Sequence, residues 1–434
     1  MELKNLIKEK KAKVAIVGMG YVGLPHAVLI AKTGFFVFGI DINKKRIKSL
    51  KKGKSYIGDV KDKEIKEIIE SKKLEPSDNF EPLKFSDVIL ICVPTPLDKN
   101  KIPDISYIEK SVFEIKKYLR KDCLVVLEST TYPGTTEEVV LPLLEETGLK
   151  AGKDFHLAFA PERIDPGNGM PLNEIPKVIG GITKECGEIA SLFYSRFLKK
   201  THVVSSTRAA EMAKILENTF RLVNISMINE LSLLCSKMEI DIWEVIEAAK
   251  TKPYGFMPFY PSPKIGGHCI SLDPFYLSFK AKEYNFWARF IELAGEINEQ
   301  MPHFVITNII YALNKSKKAV FGSKILIWGA SYKKDIGDPR ESGIYDIAWD
   351  LLRKGARIDY FDPYIEEIEI KNNEGKIKLK SIKYSDKKIK EYDLVLILAD
   401  HSGFDYDSLA KKAKLIVDAR NAIKSRKYKN VFRI

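Results

Sequence analysis

What this chain has little of narrows its function before any motif is read. It holds five cysteines in 434 residues: Cys92, Cys123, Cys186, Cys235 and Cys269. They are odd in number, scattered, and form no CxxC pair. That pattern argues against a disulfide framework and a structural zinc site, so no metal is expected and a reducing cytoplasm fits best. One of the five can still be a catalytic thiol. Long apolar runs are also missing. The longest, such as residues 394–399, are strand-length, far short of the ~20 residues a membrane span needs. The opening thirteen residues are dense in lysine with no apolar stretch behind them, so they read as neither a signal peptide nor a transmembrane segment. No membrane partner is expected.

The net charge of +13 raises nucleic acid as a partner, yet the lysines spread along the whole chain with no basic tail and no nucleic-acid motif. The preferred reading is a solvated surface, some of whose charge serves anionic small molecules. With 45% hydrophobic and 30% charged residues, the chain is expected to be globular. Its length exceeds one ordinary core and predicts two or three domains.

Strand and helix signals alternate in the first half. Residues 14–17, 35–40, 88–93 and 124–127 read as buried strands, and 22–33 carries helical spacing. This predicts an α/β fold with a parallel sheet covered on both faces. Residues 209–237, 243–249 and 287–311 read as helices. Between them, residues 251–273 form a loop rich in Pro, Gly and aromatics, too long for a casual connector. The last part repeats the first, with strands at 324–328, 357–361, 393–398 and 415–418. Residues 371–390 read as a charged surface excursion. The expected architecture is two Rossmann-like doubly wound lobes joined by a central all-helical domain, divided at 1–207, 208–312 and 313–434.

Gly18-Met19-Gly20-Tyr21-Val22-Gly23 follows the first strand and opens a helix, and Asp41 ends the next strand. Glycines there allow a tight turn and let backbone amides approach a pyrophosphate at the helix N-terminus. Asp41 would accept hydrogen bonds from ribose hydroxyls and repel a 2′-phosphate, which favours NAD over NADP. The last part has Gly329-Ala330-Ser331 at the equivalent turn and no GxGxxG, so it is not expected to bind a dinucleotide in the same way.

Other residues stand out less sharply by themselves. Gly266-Gly267-His268-Cys269 closes the central loop; a lone cysteine there is more simply a small buried residue in a turn. Asp273 before Pro274 reads as an ordinary helix cap. Lys214 and Asn218, four apart, share a helix face that would ordinarily be solvated. Glu162 follows a strand-like 156–160, and Ser129 and Thr130 follow the strand ending at Leu127.

Taken in order, these motifs resemble the UDP-glucose/GDP-mannose dehydrogenase family. The likeness runs through GxGYVG at 18–23, CVPTP at 92–96, EST at 128–130, PER at 161–163, KxxEN at 214–218, GGxC at 266–269 and KKDxxDxRES at 333–342. The resemblance implies a four-electron oxidation of a nucleotide-sugar C6 alcohol. Cys269 captures the aldehyde as a thiohemiacetal, which is oxidised to a thioester and hydrolysed to a uronate. It implies that Lys214 and Asn218 stabilise the developing alkoxide. Asp273, with Lys214, orders a water that acts as general base, and Glu162 assists hydrolysis. Thr130 joins the catalytic set. Tyr21, Val22, Arg46, Pro94, Thr95, Ser129 and Thr130 join the glycines and Asp41 around the cofactor. Arg163, Tyr260, Gly266, Arg289, Lys333 and Arg340 join the substrate site with Glu162, Lys214 and Asn218. Arg289 would reach that site across a homodimer interface built on the central helices, and the last domain would bind UDP.

The branch acting on UDP-glucose typically has a Lys-Asp pair after the cysteine; here Leu272 precedes Asp273. The string at 268–277 looks like the branch acting on N-acetylhexosamine nucleotides, and those at 161–168, 259–261 and 289–296 look like UDP-N-acetylglucosamine 6-dehydrogenases, with UDP-N-acetylmannosamine and UDP-glucose enzymes as alternatives. One departure stands out. Family members commonly carry Pro-Gly-Pro-Gly before the cysteine motif, and this chain has Pro261-Ser262-Pro263-Lys264. That change restricts the loop and adds a cation available to a phosphate. Rivals from other classes are a non-catalytic NAD-binding scaffold, and a simple hydroxy-acid or 6-phosphogluconate-type dehydrogenase with no thiol step.

Overall fold

A computed structural model describes residues 2–58, 60–98, 101–164, 169–267, 269–372 and 375–434. His268 and the 165–168 part of the 161–168 string therefore lie outside the described residues. The chain forms two compact units, Met1–Glu217 with Phe275–Trp287, and Asn218–Pro274 with Ala288–Ile434.

The first unit is built on an eight-stranded sheet. Its strands are β1 (Lys13–Val17), β2 (Phe36–Ile40), β3 (Leu74–Ser77), β4 (Val88–Ile91), β5 (Leu124–Leu127), β6 (His156–Phe159), β7 (Lys177–Gly181) and β8 (Thr201–Val204). Their order is β3-β2-β1-β4-β5-β6-β7-β8. Every residue of β4 and β5 is buried, as continuous apolar strands covered on both faces must be. The expected parallel pairing holds except between β6 and β7, which run antiparallel. The described part of their connection carries one 3₁₀ turn, Leu172–Glu174, and no crossover helix to return the chain to the same edge. The opening lysine-rich segment is partly helical, Leu3–Lys8, and buries Leu3 and Ile7.

The sheet reverses its winding between β1 and β4, which pair directly. The ends of β1, β4 and β5 therefore lie side by side at Val17, Ile91 and Leu127. This brings three of the motifs to one edge, where an open α/β sheet takes its ligand.

In the second unit a five-stranded parallel sheet begins with β9 (Lys324–Trp328) and β10 (Arg357–Phe361). Next come β11 (Glu367–Asn372) and β12 (Gly375–Lys380), then β13 (Leu394–Ile397), β14 (Ile416–Asp418) and β15 (Val431–Arg433). The sheet order is β10-β9-β13-β14-β15. The charged excursion expected after residue 371 is in part an antiparallel hairpin, β11 with β12. Ile368 and Ile370 alternate into the core while Glu367, Glu369 and Lys371 take the other positions of β11 and lysines alternate along β12, so charge hides the strand signal. Helices Ile242–Ala249 and Arg289–Lys315 also belong to this unit. Among the described residues, no helix is long and apolar enough to cross a membrane.

Candidate active site

The dinucleotide turn is built by its glycines, each for a different reason. Gly18 has φ +97°, and a Cβ there would sit 2.4 Å from the Cys92 carbonyl oxygen. A Cβ on Gly23 would sit 1.9 Å from the Gly18 carbonyl oxygen, so this glycine lets the helix Gly23–Lys32 start hard against the turn. Gly20 has open space where a Cβ would point. The middle glycine thus faces the position a pyrophosphate needs, and the turn fits a dinucleotide. Tyr21 is exposed and Val22 half-buried beside it.

Asp41 lies one residue past β2 and is buried. Its Oδ2 accepts from Met19 N at 3.0 Å and from Arg46 Nη1 at 3.1 Å, and its Oδ1 accepts from Asn43 N at 2.8 Å. Arg46 is therefore at the acid that would meet the ribose. At the ends of β4 and β5, Thr95 Oγ1 donates to Thr130 O at 2.8 Å, and Ser129 Oγ donates to Val93 O at 2.8 Å. Pro94 is exposed between them. Tyr276 hydrogen-bonds the Thr95 carbonyl. These bonds shape the loops, leaving Thr130 half-buried at the sheet edge.

Glu162 is buried just past β6. Its Oε1 accepts from Arg163 N at 2.7 Å and Ile164 N at 2.8 Å. Its Oε2 meets Lys177 Nζ at 3.1 Å and His26 Nε2 at 3.0 Å. Burial alone would raise its pKa, but Lys177 and His26 outweigh it and hold the carboxyl well below the ordinary 4.5. Arg163 turns to Glu217 (Nη2–Oε1 2.6 Å) and to Pro176 O (2.8 Å). The structure therefore places Arg163 as a tie between its own loop and the helix Thr207–Lys237, through the glutamate of the KxxEN motif.

The same helix carries Glu211, Lys214 and Asn218 on one stripe, all buried where a lone pair was expected to be solvated. Glu211 accepts from Gly134 N (2.6 Å), Thr136 N (2.9 Å) and Thr136 Oγ1 (2.7 Å), and so shapes the loop after β5. In the second unit Asn218 Nδ2 donates to Asp273 Oδ2 at 2.6 Å. Asp273 is the first residue of helix Asp273–Ala281 rather than the cap before it, and its N–H donates to Cys269 O at 2.9 Å. One turn of backbone thus separates an exposed thiol from a buried carboxylate–amide pair. All five cysteines are thiols.

The two loop glycines before Cys269 are required by close approach. A Cβ on Gly266 would lie 2.7 Å from Glu341 O, and Gly267, at φ +82°, would press its Cβ to 2.8 Å from the Tyr332 ring. Gly267 N donates to Arg340 O at 3.0 Å. The cysteine loop is thereby fastened to the 332–341 loop. Asn229 and Asn298 fasten it further, through Ser262 N (2.8 Å) and Ile265 N (2.6 Å). Lys264 pairs with Asp346 at 2.7 Å and Glu299 at 3.4 Å rather than standing open for a phosphate. Burial opposes its charge, but those carboxylates hold its pKa above the ordinary 10.5. Ser262 Oγ donates to Lys264 O at 2.6 Å and closes the turn that glycines commonly make.

Lys264, Leu272, Arg340, Glu341, Ser342, Tyr345 and Asp346 line a cleft of about 360 Å³ in this unit. Arg340 is an exposed residue that hydrogen-bonds Asp338 (Nη2–Oδ2 2.6 Å) on the same loop. Lys333 is half-buried near that loop's start. Tyr260 donates to Glu247 Oε1 at 2.9 Å and stacks on Trp243. Arg289 opens helix Arg289–Lys315 and is exposed. Several residues here escaped sequence reading. Glu211 was legible from its i, i+3, i+7 spacing with Lys214 and Asn218; His26, Lys177, Asn229 and Asn298 carried no such signal, because their partners are distant in sequence.

A glycine turn of this construction, at a winding reversal and with an acid ending the next strand, places the chain among dinucleotide-binding proteins. Similarity to known proteins narrows that class. Residues 12–198 match the NAD binding domain of the UDP-glucose/GDP-mannose dehydrogenase family, 208–300 its central domain and 326–425 its UDP binding domain. A UDP-N-acetyl-D-glucosamine 6-dehydrogenase of Pseudomonas aeruginosa is 36% identical over 91% of this chain and 92% of its own. A UDP-N-acetyl-D-mannosamine dehydrogenase of Pyrococcus horikoshii is 34% identical over 97% of this chain and 98% of its own. A solved structure of a UDP-D-ManNAc dehydrogenase from that organism superposes with a TM-score of 0.87, at 32% identity, covering 97% of this chain and 99% of that one. The chain belongs to the UDP-glucose/GDP-mannose dehydrogenase family. It is an NAD-dependent oxidoreductase of the nucleotide-sugar dehydrogenase type, and its last domain is the UDP-binding one.

Proposed function

We propose that this protein oxidises the C6 alcohol of UDP-N-acetylglucosamine to the carboxylate, with Cys269 as covalent nucleophile. The observation that carries the reading is the Asn218–Asp273 hydrogen bond at the helix that follows the exposed Cys269. The 18–23 turn, Asp41, Arg46 and the loops at 94–95 and 129–130 would hold NAD, which when bound would supply the hydride acceptor for each of two oxidations. Lys214 and Asn218 stabilise negative charge on the C6 oxygen. Cys269 Sγ adds to the C6 aldehyde and forms a thiohemiacetal, which the second oxidation converts to a thioester. Water then attacks the thioester carbon, the C–S bond breaks, and the sulfur leaves as thiolate. Asp273 and Glu162 are the carboxylates for proton removal. Arg163, Tyr260, Gly266, Arg289, Lys333 and Arg340 serve the nucleotide sugar.

The acetylglucosamine branch is supported by Leu272 ahead of Asp273 and by the name of the Pseudomonas relative. A second reading, UDP-N-acetylmannosamine, is favoured by the names of the Pyrococcus relative and the solved structure. A uronate for a surface polysaccharide, made in the cytoplasm by a homodimer paired through its central helices, completes the reading.

NADH formed per sugar, measured with UDP-N-acetylglucosamine, UDP-N-acetylmannosamine and UDP-glucose, tests it. Two NADH per UDP-N-acetylglucosamine, with turnover collapsing in Cys269→Ser, is the expected result. One NADH per sugar, or a variant as active as wild type, overturns the covalent mechanism.

A further inference from the structure

Beneath the dinucleotide edge of the first unit lies a buried group of charged side chains that sequence reading did not assemble. Lys177 Nζ, on β7, sits 3.0 Å from Glu128 Oε2 and 3.1 Å from Glu162 Oε2. The place a cation would take between two carboxylates is therefore filled by this ammonium, although His26, Glu128 and Glu162 have the spacing of a metal set. Glu128 Oε1 accepts from Tyr194 Oη at 2.5 Å. His26, on helix Gly23–Lys32, is fully buried and completes the group. Its Nδ1 lies 3.0 Å from Val22 O, an acceptor, so Nδ1 carries a proton. Its Nε2 faces Glu162 Oε2 at 3.0 Å and Glu128 Oε2 at 3.7 Å, in an ion-pair contact rather than an aligned hydrogen bond. A neutral ring would turn a lone pair at that carboxylate, so the arrangement favours the imidazolium.

We propose that His26 and Lys177 are positioning residues for Glu162, holding its carboxylate in one orientation and linking it, through the Val22 carbonyl, to the first turn of the dinucleotide-binding helix. The proposal rests on the hydrolytic role given to Glu162 above. Isolated on a loop, a glutamate samples many rotamers. Here Oε1 is fixed by two backbone amides and Oε2 by two cations, so the side chain and the 161–164 loop have one arrangement. Val22 is the residue ahead of the helix that receives the pyrophosphate, so a shift of that turn moves His26 directly. The groups facing the ring are Glu128, Glu162 and Lys177, with the Cys92 thiol and the Tyr194 hydroxyl behind Glu128. The two glutamates outweigh burial and Lys177, and hold the imidazole above its ordinary 6.5.

The test uses the full chain with NAD and UDP-N-acetylglucosamine, following both NADH and the mass of the Cys269 adduct after rapid quench. In His26→Leu, turnover is expected to fall ten-fold or more while the thioester adduct accumulates. Lys177→Arg should retain hydrolysis near wild type, whereas Lys177→Met should not. A His26→Leu enzyme that hydrolyses its thioester at the wild-type rate overturns the proposal, as does a uniform slowing with no adduct. Wild type forming one NADH per sugar would instead remove the proposed reaction. The ion pair is checked without substrate, from the imidazole nitrogen shifts at pH 7. A protonated His26 that becomes neutral in Glu162→Gln is expected, and a neutral ring in wild type overturns the linkage.

Discussion

At the scale of single residues, the site is built as much by what is missing as by what is present. Gly266 and Gly267 stand where a β-carbon would strike Glu341 O, the Tyr332 side chain or both. For Gly266→Ala the obstacle includes backbone, which has no rotamer to yield. We predict a loss of about 1–3 kcal/mol in stability of the second unit, seen as a lower unfolding midpoint, together with a fall in turnover. NADH binding, measured by fluorescence, should stay within about two-fold, since the dinucleotide turn belongs to the other unit. Glu211 gives a contrasting case. Its three hydrogen bonds lower its pKa, but burial outweighs them and raises it. Glu211→Gln cannot accept at both oxygens from Gly134 N and Thr136 N. Roughly 1–3 kcal/mol of destabilisation is expected in thermal melts, because a buried donor is left unpaired.

At the scale of elements, β5, β6, β7 and the helix after β1 are joined by charge rather than by apolar contact alone. Buried ion pairs recover their desolvation cost only when every partner is present. This makes the first unit sensitive to pH in both directions. His26 has its folded pKa raised above 6.5, so its contribution is complete below that value and is lost as pH rises through the folded pKa. Glu162 has its folded pKa well below 4.5, so its contribution is present above 4.5 and is lost as pH falls through the folded value. Melting temperature should therefore decline on the alkaline side of neutrality in wild type. In His26→Gln that decline should flatten, while the acid limb remains; identical slopes for the two proteins would argue against a charged His26.

At the scale of the whole molecule, one face of the helical region asks for a partner. On helix Thr207–Lys237, Phe220, Met227, Leu231 and Leu234 are exposed at steps of seven, four and three, and Met238 is exposed just past its end. Phe290 and Leu293 on helix Arg289–Lys315 are exposed as well, Phe290 at 76%. A stripe with this period is the kind of face that helix–helix interfaces bury, and it supports the proposed homodimer. Wild type should therefore sediment at twice the chain mass, and the double change Leu234→Glu with Phe290→Glu should sediment at half that. A wild-type monomer would remove the homodimer from the reading, and with it the role of Arg289 across the interface.

The alternation of strands and helices and the dinucleotide turn were legible in the sequence because they rest on local rules, and the family through the order of its motifs. Strand and helix follow from side-chain periodicity, Gly18 from a conformation that only glycine adopts cheaply, and Gly23 from a close approach that leaves no room for a β-carbon. The central thiol and its KxxEN helix were legible through motif order. Tertiary structure alone decided what surrounds them. Lys264 read as a cation for phosphate, and the fold spends it on Asp346 and Glu299. Arg163 read as a substrate-site residue, and no spacing announced its ion pair with Glu217. His26, an unremarked helical residue, meets Glu162 across 136 positions of chain. Charge pairing has no period and no fixed spacing, so which ions meet is settled only when the sheet brings its strand ends together.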